Sequence, residues 1–425
     1  MHQIETPHIL SFTLLALSAL AFQGSDDGEA LDGLDTWQQW RGPERDGSAP
    51  GTSWAKDLTE EQLEQTWVID QLGPSYSGPV VDSERVYTTE TVDEKFEVVR
   101  AFSRATGEEL WQTRWTGSME VPFFAARNGS WIRSTPVVDE NSLYVAGIQD
   151  TLTCLDVQTG DVRWSVNFSE RFDAPPPPFG CASSPLLEGQ DLYIQAGASL
   201  VKLDKSTGMT IWRSIVETGD VMSAGAFSSP VLAELCGQPQ LVVQSRTELF
   251  GIDAVDGREL WSTPVKAFRG MNILTPTIVG DGVFTSSYGG RSHLFMIRKG
   301  EDGLKVEEEW ESRLQGYMTS PVVVDGHAYL FLKSNRFGCV DLSTGEERWT
   351  SPPTGDSYWS LAVQGNRILA LSDTGILRFV KADPSAYEVL SEREVTEGES
   401  WAHVAPAGAQ VFVRSLDSLI ALSWN

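Results

Sequence analysis

Side chains that commonly do chemistry are few and scattered in this chain. Of the five histidines, three lie beyond the first 21 residues: His293, His327 and His403, in separate stretches. There is no H-E-x-x-H, C-x-x-C or G-x-S-x-G, so a helix-borne zinc pair, a redox dithiol and a strained nucleophilic serine all lack their sequence basis. No catalytic residue and no metal ligand is assigned. Carboxylates are plentiful, with 59 Asp and Glu against 32 Lys and Arg and a formal charge of −27. That balance excludes a nucleic-acid partner, because binding phosphate depends on Lys and Arg displacing counterions. A loop Ca²⁺ site is open to such a chain but has no fixed place in it.

The residues that remain suit binding rather than bond-making. Phe123, Phe124, Arg127, Trp131 and Arg133 fall in one irregular stretch, with Phe172 and Phe179 in the next. Aromatic rings mixed with guanidinium groups make interface hot spots. The same rings can instead pack the small cores of long loops. A second set, Tyr76, Arg133, Phe227, Arg269, Asn272, Tyr317, Tyr358, Trp359, Trp401 and His403, precedes or opens successive strands. Its rings could stack a planar ligand, or Trp359 and Trp401 could plug a channel.

The elements that position these residues are repeats. An alternating run, a turn, a second alternating run ending in Asp, a Thr-Gly turn and a Trp four residues after the Gly form one unit, clearest in LYVAGIQDTLTCLDVQTGDVRW (143–164). Copies carry Trp111, Trp164, Trp212, Trp261 and Trp349, with a looser one at Trp310, and successive Trp are 39 to 53 residues apart. Such a period marks a propeller or a similar array. A small residue, one residue, then Pro opens each unit, as in Ser134-Thr135-Pro136, with degenerate copies at Trp359 and Trp401. Four period-two strands per unit predict an all-β, eight-bladed β-propeller.

The last unit lacks its Trp strand, while the stretch 64–69, with Trp67, has no blade of its own. Lending it to blade eight closes the ring and removes two exposed sheet edges. Seven blades would result if the Trp359 and Trp401 units merged. The repeated Trp67, Trp111, Trp164, Trp212, Trp261, Trp310 and Trp349 are structural, wedged between blades. The four cysteines, Cys154, Cys181, Cys236 and Cys339, are expected to be mostly unpaired. Cys154 and Cys339 fall in opposite blades, too far apart for a bridge.

Ahead of the propeller, an apolar run from Ile9 to Phe22 with Ala19-Leu20-Ala21 reads as an export signal, too short to span a bilayer. The expected organisation is a signal peptide over 1–21, an N-terminal extension over 22–63, and the propeller over 64–425.

TWQQWRGPERDG (36–47) after a signal, with AFSRATGEELW, CLDVQTGDVRW, GIDAVDGRELW and CVDLSTGEERW in register, resembles the pyrroloquinoline-quinone-like (PQQ-like) repeat β-propeller family. The likeness covers residues 36–425 and is nearest to exported planctomycete-type and BamB-like members. It implies one of two functions. Quinoprotein alcohol dehydrogenases hold PQQ and Ca²⁺ between a Trp and a disulfide of adjacent cysteines, and this chain has no adjacent pair. BamB-like members are non-enzymatic scaffolds of outer-membrane-protein assembly. The favoured expectation is an exported, monomeric, non-enzymatic scaffold without a cofactor, soluble after signal cleavage in the periplasm or cell envelope. It would bind a protein or envelope polymer through its loop face.

Overall fold

The structure, a computed structural model, describes residues 35–123, 129–217 and 225–425. Eight four-stranded antiparallel sheets follow one another along the chain. Blades 1 to 7 span 80–116, 137–167, 186–214, 231–264, 277–312, 322–350 and 359–394. Blade 8 consists of Ala405–Ala407, Gln410–Arg414 and Ser418–Trp424, with Leu63–Asp70 as its outer strand. That strand pairs from Leu63 opposite Trp424 to Asp70 opposite Ser418, so the ring is eight-membered and closed by the N-terminal strand. The Trp359 and Trp401 units stay separate and head blades 7 and 8.

The repeated Thr-Gly and Trp form the seams between blades. Gly160 of blade 2 sits at φ +74° with Trp111 of blade 1 over it, and a Cβ there would lie 2.5 Å from the ring. Only glycine meets both demands. The Trp111 indole then donates to Val157 O at 2.9 Å in that blade. Trp67, Trp164, Trp212, Trp310 and Trp349 donate in the same way to Arg104, Lys205, Val255, Leu342 and Asp383 of the next blade. A register shift in the outer pair recurs in every blade, beside the indole in all but blade 7, adding local twist to the outer strand. The unit's Asp accepts from turn amides, as Asp156 does from Gln158 N and Thr159 N.

Two seams depart from the pattern. Trp261 donates to Gln240 of its own blade at 2.6 Å, because blade 5 runs its outer strands on as one long hairpin, Ser292–Gly300 and Gly303–Ser312, and offers no Thr-Gly turn. The outer strand of blade 7, Val389–Glu394, has no Trp. Trp54 of the N-terminal extension fills that seam, stacked 5.7 Å from Phe379 and tilted against Trp424 at 6.3 Å. Its neighbours hold it there: Arg367 donates to Trp54 O and Ala55 O, and Leu58 N donates to Ser391. All four cysteines are unpaired, with Cys154, Cys181 and Cys339 buried.

Trp54 therefore closes the ring as much as the borrowed strand does. Trp54→Ala is expected to cost about 3–5 kcal/mol, the usual range for emptying a buried Trp site. Urea unfolding of the two proteins measures it, and a loss below about 1 kcal/mol would mean that the extension only lies on the surface.

Candidate functional site: an aromatic pocket on the propeller axis

The inner strands bring three columns of residues to the axis. At the first marker position stand Ser77, Ser134, Ser183, Ser228, Leu274, Thr319, Trp359 and Ala402, all buried. The second position makes a belt that ties neighbouring blades. Gly78 N donates to Thr135 Oγ1, Thr135 N to Ser184 Oγ, Ser184 N to Ser229 Oγ and Thr275 N to Ser320 Oγ, at 2.9–3.0 Å. Short hydroxyls suit this place, since they satisfy a backbone amide without filling the channel.

One side of the belt is closed by the segment 36–47. Trp37 pairs with Val81, and Gln38 O accepts from Val138 N. Trp40 donates to Thr275 Oγ1 at 3.1 Å. Arg45 donates to Pro185 O at 2.9 Å and Ser184 O at 3.1 Å. Arg41 donates to Asp46 O at 2.7 Å and also to Pro321 O. These contacts tie twelve residues to five blades, and both guanidinium groups are buried. Burial holds Arg41 down to about 10 and Arg45 to about 9, so both stay charged at neutral pH. His403, the second-position residue of blade 8, packs 5.1 Å from Trp40 and 6.2 Å from Trp37. Burial, with Arg41 nearby, pushes its pKa down to about 3.

The third column, one residue before each marker, faces the other way. Tyr76, Arg133, Ala182, Phe227, Ile273, Met318, Tyr358 and Trp401 all line one cavity of about 510 Å³. Every blade contributes one of them, so the pocket is coaxial with the ring. Phe179, Met271, Tyr317 and Ser357 add to it from the same loops, and Tyr288, Lys333 and Asn335 from turns of blades 5 and 6. Its rings touch one another: Tyr358 and Trp401 are stacked at 5.8 Å, Tyr288 and Tyr317 lie at 4.7 Å, and Phe179 and Phe227 at 5.6 Å. The Arg133 guanidinium lies 5.4 Å from the Tyr76 ring centre and Lys333 4.3 Å from that of Tyr288. Burial raises Tyr76 to about 12 against the pull of Arg133, and raises Tyr317 and Tyr358 as well. The phenols are neutral donors at physiological pH.

Six residues of the second set singled out in the sequence meet in this pocket, Tyr76, Arg133, Phe227, Tyr317, Tyr358 and Trp401, together with Phe179 of the first. Four do not. Trp359 is fully buried in the seam of blades 6 and 7, 5.1 Å from both Phe331 and Phe337, its indole on Asp356. It is larger than the small residue it replaces, and the seam takes up the bulk. Asn272 is buried and donates to Arg246 O and Val265 O. Arg269 is exposed beside Phe268, and His403 belongs to the plugged side. The channel is filled by 36–47 rather than by Trp359 and Trp401.

Among the loop aromatics, Phe124 and Arg127 lie outside the described residues, and Phe123 is 96% exposed. Trp131 meets Tyr76 edge-on at 5.2 Å, and Phe172 packs on Phe168 under Arg213. Ile273, Met318, Tyr288 and Lys333 escape a reading by residue type. The column before the marker finds the first two, once Ala402-His403-Val404 rather than Trp401 is aligned as the eighth marker. One cluster with metal-ligand spacing, His293 with Glu308 and Glu311, occurs among the described residues; it lies on the outer hairpin of blade 5, outside the pocket lining.

A family model described as outer membrane protein assembly factor BamB matches residues 95–351. The BamB protein of Nitrosomonas eutropha is 24% identical over 272 residues, 60% of this chain and 57% of that protein. That of Yersinia pestis is 23% identical over 271 residues, 58% and 66% respectively. The match spans less than two thirds of either relative's own length. Two solved structures share the fold: BamB of Moraxella catarrhalis, with a TM-score of 0.59 at 15% identity over 85% of this chain and 98% of that one, and a quinohemoprotein alcohol dehydrogenase of Pseudomonas putida, with 0.63 at 13% identity over 94% and 82%.

His403 gives the plugged axis a pH signature. Its folded pKa lies below its unfolded value, so between about pH 6.5 and 3 the unfolded chain binds a proton that the native chain refuses, and stability falls as pH falls. The slope approaches about 1.4 kcal/mol per pH unit from this group. Chemical denaturation from pH 7 to 4 should show a shallower acid limb in His403→Gln than in the parent; equal limbs would place the proton elsewhere.

Proposed function

The chain belongs to the BamB-type PQQ-like repeat family, and from that premise we propose that it is an exported, non-enzymatic scaffold that holds a protein partner in its coaxial pocket. The observation that carries the reading is the third column: eight loops each place one residue in a single cavity, most of them aromatic or large and apolar. Tyr, Trp and Arg are the side chains that anchor protein partners most strongly, and the two methionines, Met271 and Met318, adapt to irregular shapes. Export rests on the apolar N-terminal run, which lies outside the described residues. Among the described residues no helix is long and apolar enough to cross a membrane.

The alternative, an oxidoreductase using PQQ and Ca²⁺, has the fold in its favour and the lining against it. Ca²⁺ takes oxygen ligands, chiefly carboxylates, and the described lining contains no Asp or Glu. The cysteines stand apart and unpaired, so no disulfide offers a stacking face. These residues do not fit a Ca²⁺-bound quinone.

A photo-crosslinking residue in place of Tyr317 tests the scaffold directly. Incubated with an envelope extract, it should yield a discrete protein adduct that is absent when the same residue replaces Val255, exposed on a blade turn. Absence of any Tyr317 adduct, together with alcohol-dependent dye reduction after addition of PQQ and Ca²⁺, would overturn the proposal in favour of the oxidoreductase.

A further inference from the structure

The charge of the pocket runs opposite to that of the chain. The protein carries −27, yet the described lining holds Arg133 and Lys333 and no carboxylate. Neither cation forms an ion pair among the described residues. Arg133 donates to Gly129 O, and its buried Nε has no partner. Lys333 is exposed and rests on Tyr288. Arg41, close enough to Tyr358 for their charges to interact, adds positive potential from beneath, while two carboxylates stand just behind the lining, Asp373 near Tyr358 and Glu399 accepting from the Trp401 indole at 2.9 Å.

The two cations also stand in a defined relation. Arg133 opens blade 2, and Lys333 lies in the turn between His327–Leu332 and Arg336–Asp341 of blade 6. In an eight-membered ring those blades face each other. A ligand that meets both must cross the axis, and what it crosses is aromatic, with seven rings in the lining, Phe227, Tyr317 and Trp401 among them.

We propose that the pocket takes an extended acidic–aromatic peptide segment, with an aromatic side chain seated among the rings and a carboxylate on either side of it, one towards Arg133 and one towards Lys333. This rests on the scaffold reading and names the chemistry of the partner. Other anionic ligands fit less well. A polyanion would be repelled by a chain whose net charge is −27. A sugar needs a dense set of polar partners for its hydroxyls, and beyond the phenols and the cations the polar side chains lining the pocket are Asn335 and Ser357. A peptide supplies a single flat apolar group with charges set apart from it, and its backbone can run out over the loops. Desolvated charge pairs at its ends would fix the register.

Calorimetric titration tests the idea with synthetic, terminally blocked peptides in which a central Phe is flanked by Gly and by one Glu on each side, placed two, three or four residues away. At least one spacing should bind with one-to-one stoichiometry. Replacing both Glu by Gln, or Phe by Ala, should weaken binding about tenfold or more, as should raising the salt to half molar. Lys333→Glu, an exposed change, should weaken the diacidic peptide by a similar factor and be rescued by a peptide with one Glu changed to Lys. No binding at any spacing, or equal binding of the Gln peptides, would overturn the proposal. Those failures are separable from failure of the scaffold itself: a Tyr317 adduct that persists when the peptides do not bind leaves a protein partner of other chemistry.

Discussion

Everything in this molecule depends on how the axis is filled. Eight inner strands converge there, and the backbone groups at their ends cannot all be hydrogen-bonded within their own sheets. Buried groups of this kind must find partners. The second-column hydroxyls serve part of the ring, passing from Gly78 through Thr135 and Ser184 to Ser229. Arg41 and Arg45 serve another part, donating to carbonyls of blades 6 and 3. A buried guanidinium is costly unless its charge and its donors are matched. Here carbonyl dipoles do most of the matching, and the depressed pKa of Arg41 and Arg45 records the remaining cost. The segment 36–47 is therefore an integral part of the ring.

Once the axis is set, the seams follow from repetition. Each blade contacts only its neighbours, as in other repeat proteins, so one indole over one glycine, repeated round the circle, fixes both spacing and tilt. The exceptions are informative because the ring cannot skip a seam. Where blade 5 offers no receptive turn, Trp261 folds back onto Gln240. Where blade 7 brings no indole, the chain supplies Trp54 from more than 300 residues away. The N-terminal extension thus fills the axis, completes the odd seam and leads into the strand that closes blade 8.

Most of this architecture was legible in the sequence because it is periodic. Gly160 and Trp111 are recognisable as members of a column before their contact is known, and counting strands at both ends places 64–69 in the last blade. The axis was less legible because it is not periodic: nothing in TWQQWRGPERDG announces that its two arginines will be buried at the axis. Trp359 misled for a related reason. As a large ring at a position normally held by Ser or Thr it reads as a ligand platform, yet that position points into the seam of blades 6 and 7, where Phe331 and Phe337 receive it. The pocket is set by the neighbouring column, whose members range from Ala182 to Trp401 and share a place rather than a type.

That sharing of place explains why a scaffold can vary its partner without altering its ring. The first two columns are constrained by burial and by the hydroxyl belt, and the Trp-Gly pairs by close contact. The third column bears on neither, so its eight side chains are free to be chosen for what they bind. In this chain the choice is consistent in charge as well as in shape: aromatic and apolar residues with Arg133, joined by Lys333 from a turn of blade 6, and no carboxylate in the described lining, in a protein where carboxylates outnumber cations nearly two to one. Plugging the channel with 36–47 reinforces that choice, since it brings the Arg41 charge close to Tyr358 of the lining. The device that completes the fold also adds positive charge beneath the site above it.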